Sequence, residues 1–124
     1  MKTKLPKLPD SELEIMLAVW EAKGKVTSEY LLEKLDKDWT KGTLLTLLSR
    51  LCKKGFLKCE KDGRINVYTT LVKHDSYLRR ESSSFLKKFY KNSLTSFVAS
   101  LYDGDSVSLE ELEELKRFIE EVEE

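Results

Sequence analysis

The sequence predicts a mainly α-helical chain carrying one small β-hairpin, and three observations support this. Apolar residues recur every three or four positions through most of the 124 residues, the signature of helices with one buried face. The pattern changes to alternation only between Phe56 and Thr70, around the turn signal Asp62-Gly63. Three short helical segments precede this hairpin and three follow it. The first group with its hairpin has the layout of a winged helix-turn-helix over residues 1–72. The second, residues 73–124, reads as a separate helical dimerisation region.

The first helix opens in PDSELEIMLAVWEA, with Leu13, Met16, Leu17 and Trp20 forming its apolar stripe. Asp10 or Ser11 is its candidate cap, Glu14 completing a capping box in the second case, and Lys23-Gly24 ends it. Lys25-Val26 leaves room for only a stub of strand. Thr27 can cap a second helix over SEYLLEKL, with Leu31, Leu32 and Leu35 turned inward. The third helix occupies TKGTLLTLLSRLCKKGF. Leu44, Leu47, Leu48 and Leu51 form its buried stripe, with Leu45 near the edge and Gly55 a left-handed stop.

Two hairpin registers are open. A three-residue loop, Lys61 to Gly63, pairs Leu57 with Val67 and Cys59 with Ile65. A two-residue loop pairs Leu57 with Tyr68 and Cys59 with Asn66. The first keeps apolar partners together and is favoured. Tyr68 either projects from the wing or packs inside. Three further helices follow, at about His74–Tyr90, Ser93–Tyr102 and Ser108–Glu121. The last has Leu112, Leu115, Ile119 and Val122 on a narrow seam that suits pairing with another helix.

Composition bounds the function. With 40% hydrophobic and 35% charged residues, the chain has the balance of a soluble domain with a modest core. No apolar run reaches a membrane span, and MKTKLPKLPD lacks a secretory core. Cys52 and Cys59 read as two free thiols in a reducing compartment, so the protein is expected to be cytoplasmic. The net charge is zero, but residues 1–70 hold 14 Lys+Arg against 10 Asp+Glu, and residues 71–124 hold 8 against 12. A neutral chain divided this way can present a basic face.

That face belongs to the third helix and the hairpin. Gly42, Thr43, Thr46, Ser49, Arg50 and Lys53 fall outside the leucine stripe. Small residues at a helix start let its orphan N–H groups and positive dipole end approach phosphates. Arg50, Lys53 and Lys54 add charge, as do Lys58, Lys61 and Arg64 on the wing. The expectation is a helix laid in the major groove of double-stranded DNA. A protein-binding winged helix acting as an assembly adaptor, without DNA binding, is the alternative.

The blocks LPDSELEIMLAVW, VTSEYLLEKL, TKGTLLTLLSRLCKKGFL and INVYTT resemble the penicillinase and methicillin-resistance repressors, the BlaI/MecI family. The likeness continues through FLKKFY, LTSFVASL and LEELEELKRFI, nearly the whole chain. It implies a homodimeric transcriptional repressor on palindromic operators of β-lactamase or related antibiotic-resistance genes. The family's DNA-contacting helix corresponds to Lys41 through Arg50. Thr27, Thr40, Lys41, Gly42, Thr43, Leu45, Thr46, Arg50, Lys53, Lys54 and Arg64 are the candidate DNA-binding residues, with Thr43 and Thr46 at groove and phosphates and Arg50 at the backbone. Leu45 stands where well-known members carry arginine, the commonest partner of guanine.

A homodimer doubles the base contacts on a palindrome. Leu78, Phe85, Phe89, Leu94, Phe97, Val98, Leu101, Leu112, Leu115 and Ile119 are the candidate dimerisation residues, more apolar surface than so small a region can bury alone. The resemblance further implies release by proteolysis in the second C-terminal helix, by a β-lactam-sensing membrane metalloprotease. The matching bond is Ser100–Leu101, where studied members have Asn-Phe.

Other signals point away from catalysis and metals. His74 has no nucleophile and acid arranged around it, and reads as a solvated side chain. Cys52 and Cys59 read as small buried hydrophobes. Copper-sensing relatives end in paired Cys-x-Cys motifs, whereas this chain ends EEVEE. No cofactor is expected.

Overall fold

The computed structural model describes residues 6–123. Their elements run α1 (Asp10–Ala22), β1 (Val26–Thr27), α2 (Ser28–Leu35), α3 (Lys41–Lys53), β2 (Leu57–Asp62), β3 (Ile65–Thr70), α4 (His74–Tyr90), α5 (Leu94–Asp103) and α6 (Leu109–Glu123). The chain divides into two compact units, the first up to Arg79 and the second from Arg80. The first unit extends into α4 because Tyr77 is buried in its core, where its hydroxyl accepts the Leu8 N–H at 3.1 Å.

In the first unit α1, α2 and α3 pack around Ile15, Met16, Val19, Leu31, Leu44, Leu48 and Leu51, all essentially inaccessible. A three-stranded antiparallel sheet in the order β1-β3-β2 closes the core with Val26, Leu57 and Tyr68. Tyr68 thus packs inside. The Leu44, Leu47, Leu48 and Leu51 stripe of α3 is buried as its spacing requires. α3 stops in a Schellman motif. The Phe56 N–H bonds the Leu51 carbonyl at 3.0 Å, the Gly55 N–H bonds that of Cys52 at 3.1 Å, and Gly55 has φ +85°.

Several local expectations are corrected. In α1 Met16 and Trp20 are buried as expected, but Glu12, Ile15 and Val19 are inside with them, while Leu17 is exposed and Leu13 only partly covered. The inward face is centred on Ile15, Met16 and Val19, and it includes Glu12, whose carboxylate meets Lys54. Neither Asp10 nor Ser11 caps α1; Pro9 holds the N-cap position with no side-chain bond. Leu32 and Leu35 of α2 lie at the core's margin, since an eight-residue helix buries only one row, here Leu31.

The hairpin register is neither of the two anticipated. Leu57 faces Thr70, Cys59 faces Tyr68 and Asp62 faces Ile65, leaving Gly63-Arg64 as the two-residue turn. Gly63 takes φ +68° at the first central position while Arg64 keeps a negative φ, the requirement of a II′-type hairpin turn. Apolar matching did not set the register because Ile65 and Cys59 are exposed. Docking of Leu57 and Tyr68 on the core, and pairing of Val26 with Tyr68, set it instead. Cys59 is therefore not a buried hydrophobe, and Cys52 is half-buried. His74 is not free in solvent: its ring stacks on Trp20 at 4.5 Å, because α4 starts directly against the core.

In the second unit α4 ends, and α5 and α6 follow, with no fully buried residue in α5 or α6. Phe85, Phe89, Tyr90 and Phe97 form an aromatic cluster with centroid separations of 4.9–5.9 Å.

Candidate nucleic-acid interface

Local chemistry fixes the outer face of α3. The Thr40 hydroxyl oxygen accepts the Thr43 N–H at 3.1 Å and is itself hydrogen-bonded to the Thr43 hydroxyl at 3.1 Å. That cap places an uncrowded N-terminus at the surface, with no acidic residue in the first turn. A Cβ on Gly42 would meet Thr40 Oγ1 at an ordinary 3.7 Å, so this glycine keeps the face low without being sterically required. One turn on, the Thr46 hydroxyl donates to the Gly42 carbonyl at 3.0 Å. Its proton is committed to the backbone, which leaves a methyl group and an acceptor lone pair for a ligand.

Lys41, Gly42, Thr43, Leu45, Thr46, Ser49, Arg50 and Lys53 are all exposed, so α3 presents one uninterrupted face opposite its leucines. Arg50 and Lys53 put charge on the last turn. Lys61 and Arg64 stand exposed at the end of the hairpin, and Lys58 is bridged to Glu60 at 3.5 Å. Elsewhere in the first unit Lys34 is paired with Glu21 and Lys37 with Glu14, each at 3.0 Å. Among the described residues Lys41, Arg50, Lys53, Lys61 and Arg64 have no carboxylate within ion-pair distance. The unmatched positive charge of this unit thus includes cations on α3 and the hairpin.

Two sequence candidates have structural duties. Thr27 accepts the Tyr30 N–H at 3.1 Å and so caps α2. Lys54 is turned to the body of the unit, its ammonium held by the buried carboxylate of Glu12. Sequence reasoning missed Glu12. An acid among apolar neighbours looks solvated until the cation 42 residues away is known to reach it.

The second unit has an open apolar groove between α5 and α6, lined by Leu94, Val98, Tyr102, Leu112, Leu115 and Ile119 with Thr95 and Ala99. Leu78, Phe85, Phe89, Leu94 and Ile119 are exposed; Phe97, Val98, Leu101, Leu112 and Leu115 are half-buried. Ser100 and Leu101 lie within α5. The Ser100 hydroxyl accepts from Tyr90 at 3.2 Å, and the two carbonyls accept the N–H groups of Gly104 and Ser106. Among the described residues no cluster of metal-ligating side chains occurs, and no helix is long and apolar enough to cross a membrane.

Comparison with known proteins agrees with this geometry. Residues 8–121 match the family described as penicillinase repressor. The penicillinase repressor of Bacillus licheniformis is 38% identical over 95% of this chain and 93% of its own length. The methicillin resistance regulatory protein MecI of Staphylococcus aureus is 32% identical over 96% and 98%. The solution structure of the DNA-binding domain of the repressor BlaI superposes with a TM-score of 0.53 at 33% identity, covering 61% of this chain and 94% of that one. The B. licheniformis BlaI monomer in complex with the blaP half-operator gives 0.50 at 34%, over 60% and 92%. Its winged-helix architecture and this near full-length similarity place the chain in the penicillinase repressor family.

Proposed function

We propose that the protein is a homodimeric transcriptional repressor that binds a palindromic DNA operator with α3 in the major groove and the hairpin on the flanking backbone. The single observation that carries this reading is the exposed Lys41–Lys53 face, where Lys41, Arg50 and Lys53 have no carboxylate within ion-pair distance, whereas Lys34 of α2 and Lys37 just after it are neutralised by Glu21 and Glu14 of α1. Phosphate contacts from Lys41, Arg50, Lys53 and Arg64 supply most of the affinity, which therefore falls steeply with salt. Base preference comes from Thr43, Leu45 and Thr46. Leu45 and the Thr46 methyl are apolar, and the base group that matches them is the thymine C5-methyl in the major groove.

Dimerisation is assigned to residues 73–124, through the α5–α6 groove and the exposed aromatic face of α4. The half-operator bound by the monomeric relative suits one reading unit per half-site. The genes controlled are of the β-lactamase or related antibiotic-resistance class, as the names of the relatives suggest. Release follows cleavage at Ser100–Leu101 by a β-lactam-sensing membrane metalloprotease. That step requires α5 to open, because the carbonyl of the bond, that of Ser100, and the next one, that of Leu101, are both engaged in the helix end.

Fluorescence anisotropy with a labelled palindrome and a scrambled duplex over a salt series tests the DNA reading. Preference for the palindrome with a steep salt slope is expected. Salt-independent absence of binding to either duplex would leave the adaptor reading. Incubation with an activated sensor protease, followed by fragment sequencing, tests the bond. An intact chain beside a cut control substrate would remove it.

A further inference from the structure

The two cysteines lie outside every role assigned so far. Cys52 continues the inward row Leu44–Leu48–Cys52 at the end of α3, half-buried and packed against the core. The chain then reverses within three residues, and β2 leaves with Leu57 buried. Side chains alternate along a strand, so Cys59 shares the face of Leu57. It sits directly opposite Tyr68, which is also buried on that face. Cys59 therefore lies on the helix side of the sheet, in the strand packed on α3, and yet is open to solvent. Burial raises the pKa of Cys52 and the neighbouring Cys59 raises it further.

We propose that Cys52 and Cys59 are a thiol-oxidation site, forming a reversible intramolecular disulfide that ties the end of α3 to the first strand of the hairpin. The oxidant is a two-electron peroxide. The exposed Cys59 sulfur, having lost its proton, attacks the peroxide O–O bond; one oxygen stays on sulfur as the sulfenic acid and the other leaves as water with that proton. Cys52 then attacks the sulfenic sulfur, the S–S bond forms, and the hydroxyl departs as water with the Cys52 proton. Two thiols lose two electrons in all, and one peroxide becomes two waters. A dithiol reductant reverses the change by exchange. Solvent access makes Cys59 the sulfur that meets the peroxide, and the half-buried Cys52 the resolving one.

The test treats the reduced full-length protein with a modest excess of hydrogen peroxide. Expected are the loss of both titratable thiols, an intact mass lower by about 2 Da, a tryptic peptide joining the two cysteines, and full recovery with dithiothreitol. Cys59→Ser, at an exposed position that leaves the core untouched, should keep Cys52 unreacted at the same dose. Cys52→Ser should hold Cys59 as a sulfenic acid that dimedone traps. The proposal is overturned if both wild-type thiols survive doses that oxidise a control dithiol peptide. Separate addition of oxygen to each cysteine without a joined peptide overturns it equally.

Discussion

The hydroxyl of Thr46 donates to the carbonyl of Gly42, one turn back along α3, at 3.0 Å. What this residue presents outward is then chiefly its methyl group. Thr46→Val keeps a methyl there and should bind the operator within about 0.5 kcal/mol of the wild type, whereas Thr46→Ser, lacking it, should lose about 0.8 kcal/mol. Anisotropy titrations on duplexes with thymine or uracil at each operator position check the reading. The position sensed by Thr46 loses its thymine preference in the serine variant only.

Lys53 and Lys54 are neighbours with opposite assignments. Lys53 is exposed, so Lys53→Ala should weaken binding to all duplexes alike and lower the salt slope by about 1. Folding stability should stay within about 0.5 kcal/mol.

Lys54→Ala strands the Glu12 carboxylate, which is 2% exposed. Removing one partner of a buried ion pair costs about 3 kcal/mol, which a urea melt would register as a lower midpoint. Glu12→Gln in the same background should recover part of the loss, because a neutral amide is cheaper to bury.

Leu115 lines the α5–α6 groove and is half-buried in the single chain. Leu115→Glu should turn the proposed dimer into a monomer in sedimentation velocity runs. Operator binding should weaken at least tenfold, while binding to an isolated half-site stays the same.

Burial raises the Cys52 thiol above its ordinary 9.0. It likewise raises the Tyr68 hydroxyl above 10.0, with Cys59 adding to the effect. The folded chain keeps these protons after the unfolded chain has released them, so stability declines as pH climbs past 9.0 and again past 10.0. Below that window neither group gives stability a pH dependence. Thermal melts in a series of alkaline buffers should show the fall, and Cys52→Ala should delete its first part.

How much of this was legible beforehand differs by element. The stripe and cap of α3 follow from local rules alone, leucine spacing and a threonine before the first turn, and both stand in the structure. In α1 Met16 and Trp20 are where their spacing puts them, but Leu17 is not, because the inward face includes an acid whose partner lies beyond the next two helices. The hairpin was misread because only its inner end touches the core, so matching apolar partners along its length had no force near Ile65. On the candidate interface the positions were readable but the presentation was not. Whether a threonine shows its hydroxyl or its methyl depends on a hydrogen bond to Gly42 that spacing does not encode.

Thr27 ends β1, where it lies opposite Val67, and also caps α2 with its side chain. One residue thus belongs at once to the sheet that carries the hairpin and to the helix preceding the α2–α3 turn. There is no slack between them. The Gly63-Arg64 tip has only the turn itself to satisfy. A longer tip can be grafted there without disturbing the fold, whereas a single residue inserted beside Thr27 would unseat strand and helix together.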